Sequence, residues 1–155
     1  MTRSEAREIL MHILFQMDAQ DDCSEELRDL FLAGKSIPEQ HQEYINSIFA
    51  LVKEHLPELD DMINRHSDKW ATTRMPKTDL AVLRLATAEI VYADDIPPAV
   101  AIDEAVEMSK KYGSDSSHKF VNGVLGKIAR DVGVSTESSK KSKISTQNES
   151  ENESE

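Results

Sequence analysis

The sequence predicts an all-α protein of about seven helices that ends in a disordered tail. Apolar residues recur at spacings of three and four from Thr2 to about Gly133, which is the period of helices that each bury one face. Nowhere do apolar and polar residues alternate as they do along a half-buried strand. Short polar links that contain proline or glycine separate the periodic segments, so consecutive helices are expected to pack as antiparallel neighbours.

The first three helices are indicated by capping residues and by one apolar stripe each. Thr2 and Glu5 form a T-x-x-E capping box that predicts the start of the first helix. A short second helix is expected to end near Gly34, and Pro38 marks the start of a long third helix. The stripes consist of Ala6, Ile9, Leu10, Ile13, Leu14 and Met17; of Leu27, Leu30 and Phe31; and of Tyr44, Ile45, Ile48, Leu51, Val52 and Leu56.

A fourth helix and a connector follow. Pro57 interrupts the helical pattern, because proline lacks the backbone N–H that a helix interior needs. The apolar spacing then continues through Leu59, Met62 and Ile63. Trp70 lies in a connector that closes at Met75-Pro76, since proline pushes the residue before it out of helical geometry.

Three further helices complete the prediction, and the fifth is expected to be the central helix of the core. Thr78 is expected to cap it, with Asp79 near the positive end of its dipole. Pro97-Pro98 opens the sixth helix and Gly113 ends it, after which a serine-rich segment caps the seventh. The stripes are Leu80, Leu83, Ala86, Ile90 and Val91; Val100, Ala101, Ala105 and Met108; and Phe120, Val121, Val124, Leu125 and Ile128.

Residues 1–133 are predicted to form one helical domain, and residues 134–155 a disordered tail. The tail contains seven serines and five glutamates and almost no large apolar residue. Such a segment cannot offset the entropy lost on ordering by burying apolar surface.

Composition disfavours several classes of function. No apolar run is long enough to span a bilayer, and the start is amphipathic where a signal peptide is continuously apolar, so a cytoplasmic protein is expected. Cys23 is the single cysteine and the five histidines are dispersed, so neither a disulfide, a metal site nor a cofactor is expected. Neither a phosphate-binding glycine loop nor a serine-hydrolase elbow occurs, so no catalytic residue is predicted.

The basic segment, residues 108–130, reverses the charge of an otherwise acidic chain. It carries five basic residues and one acid, whereas residues 1–107 carry 10 basic and 22 acidic residues in a chain of net charge −11. Its aromatic residues Tyr112 and Phe120 lie among these cations, a combination that suits single-stranded nucleic acid through phosphate contacts and base stacking. An ordinary solvated helix face is the alternative, and composition alone does not decide between the two.

Three residues of the first helix are further candidates for binding. Arg3 and Arg7 lie one helical turn apart, so they share a face on which a phosphate could also meet unpaired backbone amides. Ion pairs with Glu5 and Glu8 are the alternative for these arginines. Phe15 lies outside the main apolar stripe, and an unburied aromatic residue is typical of a protein interface.

Four stretches of the sequence together match the pattern of a known family. They are Ala-Arg-Glu at residues 6–8, Val-Leu-Arg-Leu-Ala at 82–86 with Glu89, Ile-Pro-Pro-Ala-Val-Ala-Ile-Asp-Glu-Ala-Val-Glu at 96–107, and Ser-His-Lys-Phe-Val-Asn-Gly-Val-Leu at 117–125. The last two are long and specific. On these stretches the chain resembles the NusB family of transcription antitermination factors, from about Thr2 to about Asp131.

The resemblance implies a fold of two small helical bundles packed across each other. It also implies binding to the boxA element of ribosomal RNA leader transcripts, together with the ribosomal protein NusE, in an antitermination complex with RNA polymerase. Carried over by position, the RNA-binding residues are Arg3, Arg7, Tyr112, Ser117, Lys119 and Phe120, and the NusE-binding residues are Phe15 and Asp79.

One departure from the family pattern and three alternatives qualify this hypothesis. Many members begin with a run of arginines, whereas this chain has only Arg3 and Arg7 there, so weak intrinsic RNA affinity is expected. The same helical module resembles the N-terminal part of certain ribosomal RNA cytosine methyltransferases, which makes an enzyme fragment one alternative. A purely protein-binding scaffold is a second, and a homodimer that packs through the basic and aromatic face is a third.

Overall fold

The computed structural model describes the backbone of residues 1–149 and the side chains of residues 1–133. Its seven helices are α1 (Arg3–Ala19), α2 (Glu25–Leu32), α3 (Glu39–Glu54), α4 (Leu56–His66), α5 (Lys77–Tyr92), α6 (Pro98–Tyr112) and α7 (Ser117–Glu149). No strand occurs in the backbone of residues 1–149. The predicted all-α fold of about seven helices is therefore confirmed.

The end of α7 differs from the expectation for the tail. Its backbone continues as a helix to Glu149, whereas the sequence predicts disorder from residue 134. The side chains of residues 134–149, and residues 150–155 altogether, lie outside the described part of the chain. The division into a domain of residues 1–133 and a disordered tail of residues 134–155 therefore stays a prediction.

Local signals set the helix boundaries. Thr2 Oγ1 accepts a hydrogen bond from the Glu5 backbone N–H at 3.1 Å, and the Thr2 N–H donates to Glu5 Oε1 at 2.7 Å, so the capping box is confirmed. Gly34, just beyond α2, has a φ of 82°, a conformation that glycine adopts without steric cost. Pro57 lies in the first turn of α4, where a missing N–H costs no helical hydrogen bond.

Helix α5 is the centre of the fold, as the sequence predicts. All of its residues from Asp79 to Ile90 are buried. It packs against α1 and α3 on one side and against α6 and α7 on the other, and α4 also contacts it. Two three-helix groups, α1–α3–α5 and α5–α6–α7, thus share one buried helix.

Arg84 connects three helices from within this core. Its guanidinium donates to both carboxylate oxygens of Asp60 on α4, at 2.9 and 2.8 Å, and to Asp18 on α1 at 3.1 Å. Burial alone lowers the pKa of Arg84, but these two carboxylates outweigh it and raise the pKa. The arginine therefore stays charged and fixes the end of α1 and the middle of α4 on α5.

The turn between α6 and α7 depends on close contact at a glycine. A Cβ atom added at Gly113 would lie 2.6 Å from the side chain of Ser117 and 2.7 Å from the Ser109 carbonyl oxygen. Only a residue without a side chain allows this approach. The tight turn brings the end of α6 close to the start of α7, so Tyr112 and the first turn of α7 lie near each other.

None of the helices in the described part of the chain is both long and apolar enough to cross a lipid bilayer.

Candidate nucleic-acid interface

Lys119 and Phe120 lie side by side in the first turn of α7. Lys119 is exposed and Phe120 is half-buried. The Phe120 ring meets Trp70 edge to face, with ring centroids 5.1 Å apart and planes at 80°, a favourable aromatic geometry. Among the described side chains Lys119 forms no ion pair, so its charge is available to an anion.

Lys119 also lines an open groove of about 530 Å³ between α6 and α7. Lys110 contributes a second cation and His118 an imidazole, whereas Asp103 and Glu107 contribute carboxylates. Lys110 lies 3.6 Å from Glu107 in an exposed ion pair, a kind of pair that contributes little to stability. The groove is thus mixed in charge, and its α7 side is the one that favours an anion.

Tyr112, at the end of α6, is tied to α1. Its hydroxyl donates to Glu8 Oε1 at 2.9 Å, and Lys111 Nζ lies 3.1 Å from both oxygens of the same carboxylate. The ring also packs edge-on against His12, with centroids 4.9 Å apart. These contacts hold Tyr112 at the junction of α1 and α6 while 37% of it stays exposed.

A second cleft brings together residues from both predicted sets. Its volume is about 310 Å³, and Phe15, predicted to bind NusE, lines it together with Tyr112, predicted to bind RNA. The remaining lining residues are Met11, His12, Gln16, Phe31 and Thr78. Burial lowers the pKa of His12, so the neutral, less polar imidazole is favoured at this wall. The cleft is therefore mainly apolar and aromatic.

Arg7 does not fit the predicted role in RNA binding. It is 3% exposed, and its Nε lies 3.2 and 2.9 Å from the two carboxylate oxygens of Glu89 on α5. Burial alone lowers the pKa of Arg7, but the Glu89 carboxylate raises it, and the Tyr44 hydroxyl also donates to Glu89. A guanidinium committed to a buried carboxylate cannot reach an RNA, so Arg7 leaves the candidate interface.

Arg3 remains in the candidate interface. It lies at the start of α1 and is exposed. Its guanidinium carbon lies 4.3 Å from the centroid of the Tyr44 ring, within the range of a cation–π contact. Tyr44 thus directs the Arg3 side chain without neutralising its charge.

Ser117 and Asp79 are also buried, so direct contact with a partner does not fit either side chain. Ser117 is 2% exposed, and its Oγ accepts a hydrogen bond from the Ser114 N–H at 2.9 Å. Asp79 is 1% exposed, and its Oδ1 has no hydrogen-bond partner among the described residues. Both lie in the first turn of a helix, although the N-cap of α5 is Pro76 and no described side chain caps that helix, so neither Asp79 nor the predicted Thr78 is its cap. Their placement indicates support of the α6–α7 turn and of α5.

Burial raises the pKa of the Asp79 carboxyl, and the Ser117 hydroxyl and the Lys69 charge only partly oppose this. We therefore expect Asp79→Asn to stabilise the fold near neutral pH. The cost of ionisation is absent below the unfolded pKa of about 3.9, develops as pH rises toward the folded pKa and is complete above it. Thermal melting of both proteins across this range tests the expectation, and a stability difference that shrinks as pH rises contradicts it.

Two residues beside Phe120 were missed by reasoning from the sequence. Trp70 meets the Phe120 ring, and the Nζ of the exposed Lys69 lies 4.2 Å from the Trp70 ring centroid. The only signal in the sequence is a lysine next to the chain's one tryptophan. Nothing in the linear pattern relates this connector to a helix 50 residues later.

The fold and the site together define an all-helical binding protein with one cationic and aromatic surface on an acidic body. The NusB family model matches residues 4–130. The transcription antitermination protein NusB of Agathobacter rectalis is 44% identical over 131 residues, which are 83% of this chain and 100% of that protein. The NusB of Alkaliphilus oremlandii is 41% identical, over 86% of this chain and 97% of that protein. The chain belongs to the NusB family, whose curated relatives here are transcription antitermination proteins.

Solved structures agree with this assignment. T. maritima NusB superimposes with a TM-score of 0.78 at 37% identity, over 84% of this chain and 92% of that chain. A NusB chain in the crystal structure of antitermination factors NusB and NusE in complex with dsRNA gives a TM-score of 0.76 at 26% identity, over 84% of this chain and 99% of that chain. The predicted NusB-like fold is confirmed.

Proposed function

We propose that this chain acts in transcription antitermination by binding the boxA element of ribosomal RNA leader transcripts together with NusE. The observation that carries the proposal is the pairing of Lys119 with Phe120 on the first turn of α7. The unpaired Lys119 ammonium group offers a positive charge to an RNA phosphate, and the adjacent Phe120 ring offers a flat face on which a base can stack. NusB is bound to NusE and dsRNA in one related structure, which supports RNA and NusE as the two partners.

The proposed RNA surface consists of Lys119 and Phe120, with Arg3 and Tyr112 at its edge. The net charge of −11 repels phosphate from most of the protein, so the contact is local. Arg3 is the exposed member of the N-terminal arginine pair, since Arg7 is buried. One available N-terminal arginine agrees with weak RNA affinity for the isolated chain.

The proposed NusE surface is the cleft that Phe15 lines. An aromatic residue at an open apolar cleft suits an interface anchor. An acidic protein attracts a basic ribosomal protein over distance, which favours fast and specific association. NusE then adds positive surface beside the RNA, so the two partners bind more tightly together than separately.

In this proposal the chain is a non-enzymatic, cytoplasmic adaptor that joins RNA and NusE to the RNA polymerase antitermination complex. No group of three or more potential metal ligands occurs among the described residues. In this proposal Lys119 and Phe120 bind RNA without making or breaking any covalent bond. A homodimer through the same basic face would compete with RNA, and sedimentation with and without RNA distinguishes the two assemblies.

Lys119→Ala is expected to weaken RNA binding mainly at low salt. The loss of one phosphate contact reduces the slope of log affinity against log salt by about 0.7 for a single strand. Fluorescence anisotropy of labelled boxA RNA at several salt concentrations measures this slope. Lys53→Ala is a matched control, because Lys53 is an exposed cation on α3, outside the proposed surface. An unchanged slope in Lys119→Ala contradicts the contact.

Titration of boxA RNA and of a scrambled RNA, each with and without NusE, tests the function as a whole. The expected result is tighter binding of boxA, with affinity that increases when NusE is present. Equal and tight binding of the scrambled RNA rejects specific recognition. Binding of NusE without any RNA affinity supports the alternative of a purely protein-binding scaffold.

A further inference from the structure

The connector between α4 and α5 is held in one conformation by its own hydrogen bonds. Ser67 Oγ accepts from the Trp70 N–H at 3.2 Å and donates to the Trp70 carbonyl oxygen at 2.5 Å. Further along, Asn64 Oδ1 accepts from the Thr72 N–H at 2.8 Å, and Met75 is buried in the core. The segment between these anchors is therefore positioned by the fold, although it is neither helix nor strand.

Two contacts join this connector to α7: an exposed ion pair, which contributes little to stability, and a contact between aromatic rings. Lys127 Nζ lies 2.7 Å from Asp68 Oδ2, and the Trp70 ring meets Phe120 edge to face. Phe120 and Lys127 are seven residues apart, so they lie two turns apart on one face of α7. The connector thus runs along that face, with Asp68 at Lys127 and Trp70 at Phe120, the proposed base-stacking residue.

Lys69 is the exposed cation of this connector. Among the described side chains it forms no ion pair, and its Nζ lies over the Trp70 ring at 4.2 Å from the centroid. Its neighbour Asp68 is neutralised by Lys127. Lys69 and Lys119 are therefore exposed cations that adjoin Trp70 and Phe120 in sequence, and neither forms an ion pair among the described side chains of a chain that is otherwise strongly acidic.

We propose that Lys69 and Trp70 belong to the RNA-binding surface: Lys69 contacts a phosphate, and Trp70 is a positioning residue that holds the Phe120 ring for stacking. The inference rests on the proposed RNA binding and extends it to a segment outside the basic segment. An edge-on neighbour fixes the plane of the Phe120 ring, so less side-chain entropy is lost when a base stacks on it. The long, flexible Lys69 side chain can contact the phosphates of the RNA backbone next to the stacked base.

The test measures the affinity of fluorescein-labelled boxA RNA for the full chain, in the presence of NusE. Lys69→Ala is expected to weaken binding about 4-fold near 0.15 M salt and to reduce the salt slope by about 0.7. Lys53→Ala is again the control, because Lys53 is an exposed cation on α3, outside both the proposed RNA surface and the cleft that Phe15 lines. Its affinity is expected to equal that of the unaltered chain.

Trp70 is tested by its coupling to Phe120. Trp70→Leu is expected to weaken RNA binding and Trp70→Phe to restore it, with both variants checked for folding by thermal melting. Trp70→Leu combined with Phe120→Ala is expected to bind no more weakly than Phe120→Ala alone, since positioning has no effect once the ring is gone. The chain has one tryptophan, so its fluorescence is expected to change as RNA binds.

The outcomes separate the inference from the function on which it rests. RNA binding that Phe120→Ala weakens, but that Lys69→Ala and Trp70→Leu leave unchanged, overturns the inference alone. Additive losses in the double variant overturn the positioning role of Trp70. Absence of boxA binding by the unaltered chain with NusE overturns both the inference and the proposed function.

Discussion

Replacing Arg7 by alanine is expected to lower the free energy of unfolding by about 3–5 kcal/mol, because it leaves Glu89 as an unpaired buried charge. Glu89 is completely buried, and its hydrogen-bond partners are the Arg7 guanidinium and the Tyr44 hydroxyl. Burial and the Glu89 charge raise the pKa of Tyr44, so tyrosine remains a neutral donor and cannot compensate for the lost cation. Urea denaturation followed by circular dichroism measures the effect.

Arg65→Ala is the matched control for this substitution. Arg65 Nε lies 3.1 Å from Asp61, and both side chains are exposed. Removing such a pair costs about 0.3–0.5 kcal/mol. If Arg7→Ala were as stable as Arg65→Ala while its RNA affinity fell, Arg7 would be a binding residue after all.

Replacing Phe120 by alanine is expected to weaken RNA binding by roughly 5- to 150-fold, the equivalent of about 1–3 kcal/mol for one stacked base. The ring is half-buried against Trp70, so part of its surface remains open to a base. The loss is expected to be nearly independent of salt, since stacking releases no counterions. Anisotropy titrations of boxA RNA at two salt concentrations measure both properties.

Phe120→Tyr and Phe120→Leu separate stacking from packing. Tyrosine keeps the flat ring and is expected to bind RNA like the unaltered chain. Leucine keeps apolar contact with the core but offers no flat face, so it is expected to bind nearly as weakly as alanine. Equal RNA affinity for leucine and phenylalanine, at equal thermal stability, contradicts base stacking at this position.

Much of the fold was predictable from local signals in the sequence. Three helix boundaries are set by residues within a few positions of them: the capping box of Thr2 and Glu5, Gly34 with its positive φ, and Pro57 in the first turn of α4. The central position of α5 was expected, and its continuous burial from Asp79 to Ile90 agrees with that expectation. Such features depend on neighbours along the chain, which the sequence displays directly.

The site was less predictable, because its residues are defined by partners far away in sequence. The sequence alone suggests that Arg7 is a surface arginine, but the fold places it against the buried Glu89, 82 residues later. The sequence also suggests that Ser117 and Asp79 are accessible to a partner, but both side chains are buried in the folded chain, Ser117 next to the turn at Gly113 and Asp79 in the first turn of α5. Matching a family motif identifies such residues, but it does not show whether each one contacts a partner or stabilises the fold.

The central claim is that RNA lies on the first turns of α7, and photo-crosslinking tests it most directly. Ultraviolet irradiation of boxA RNA bound to the chain and NusE, followed by trypsin, isolates residues 120–127 as one peptide, since Lys119 and Lys127 end tryptic fragments. We expect the main crosslink on that peptide, at Phe120. Crosslinks confined to peptides of α2 or α3, with none at residues 119–127, would contradict the proposed interface.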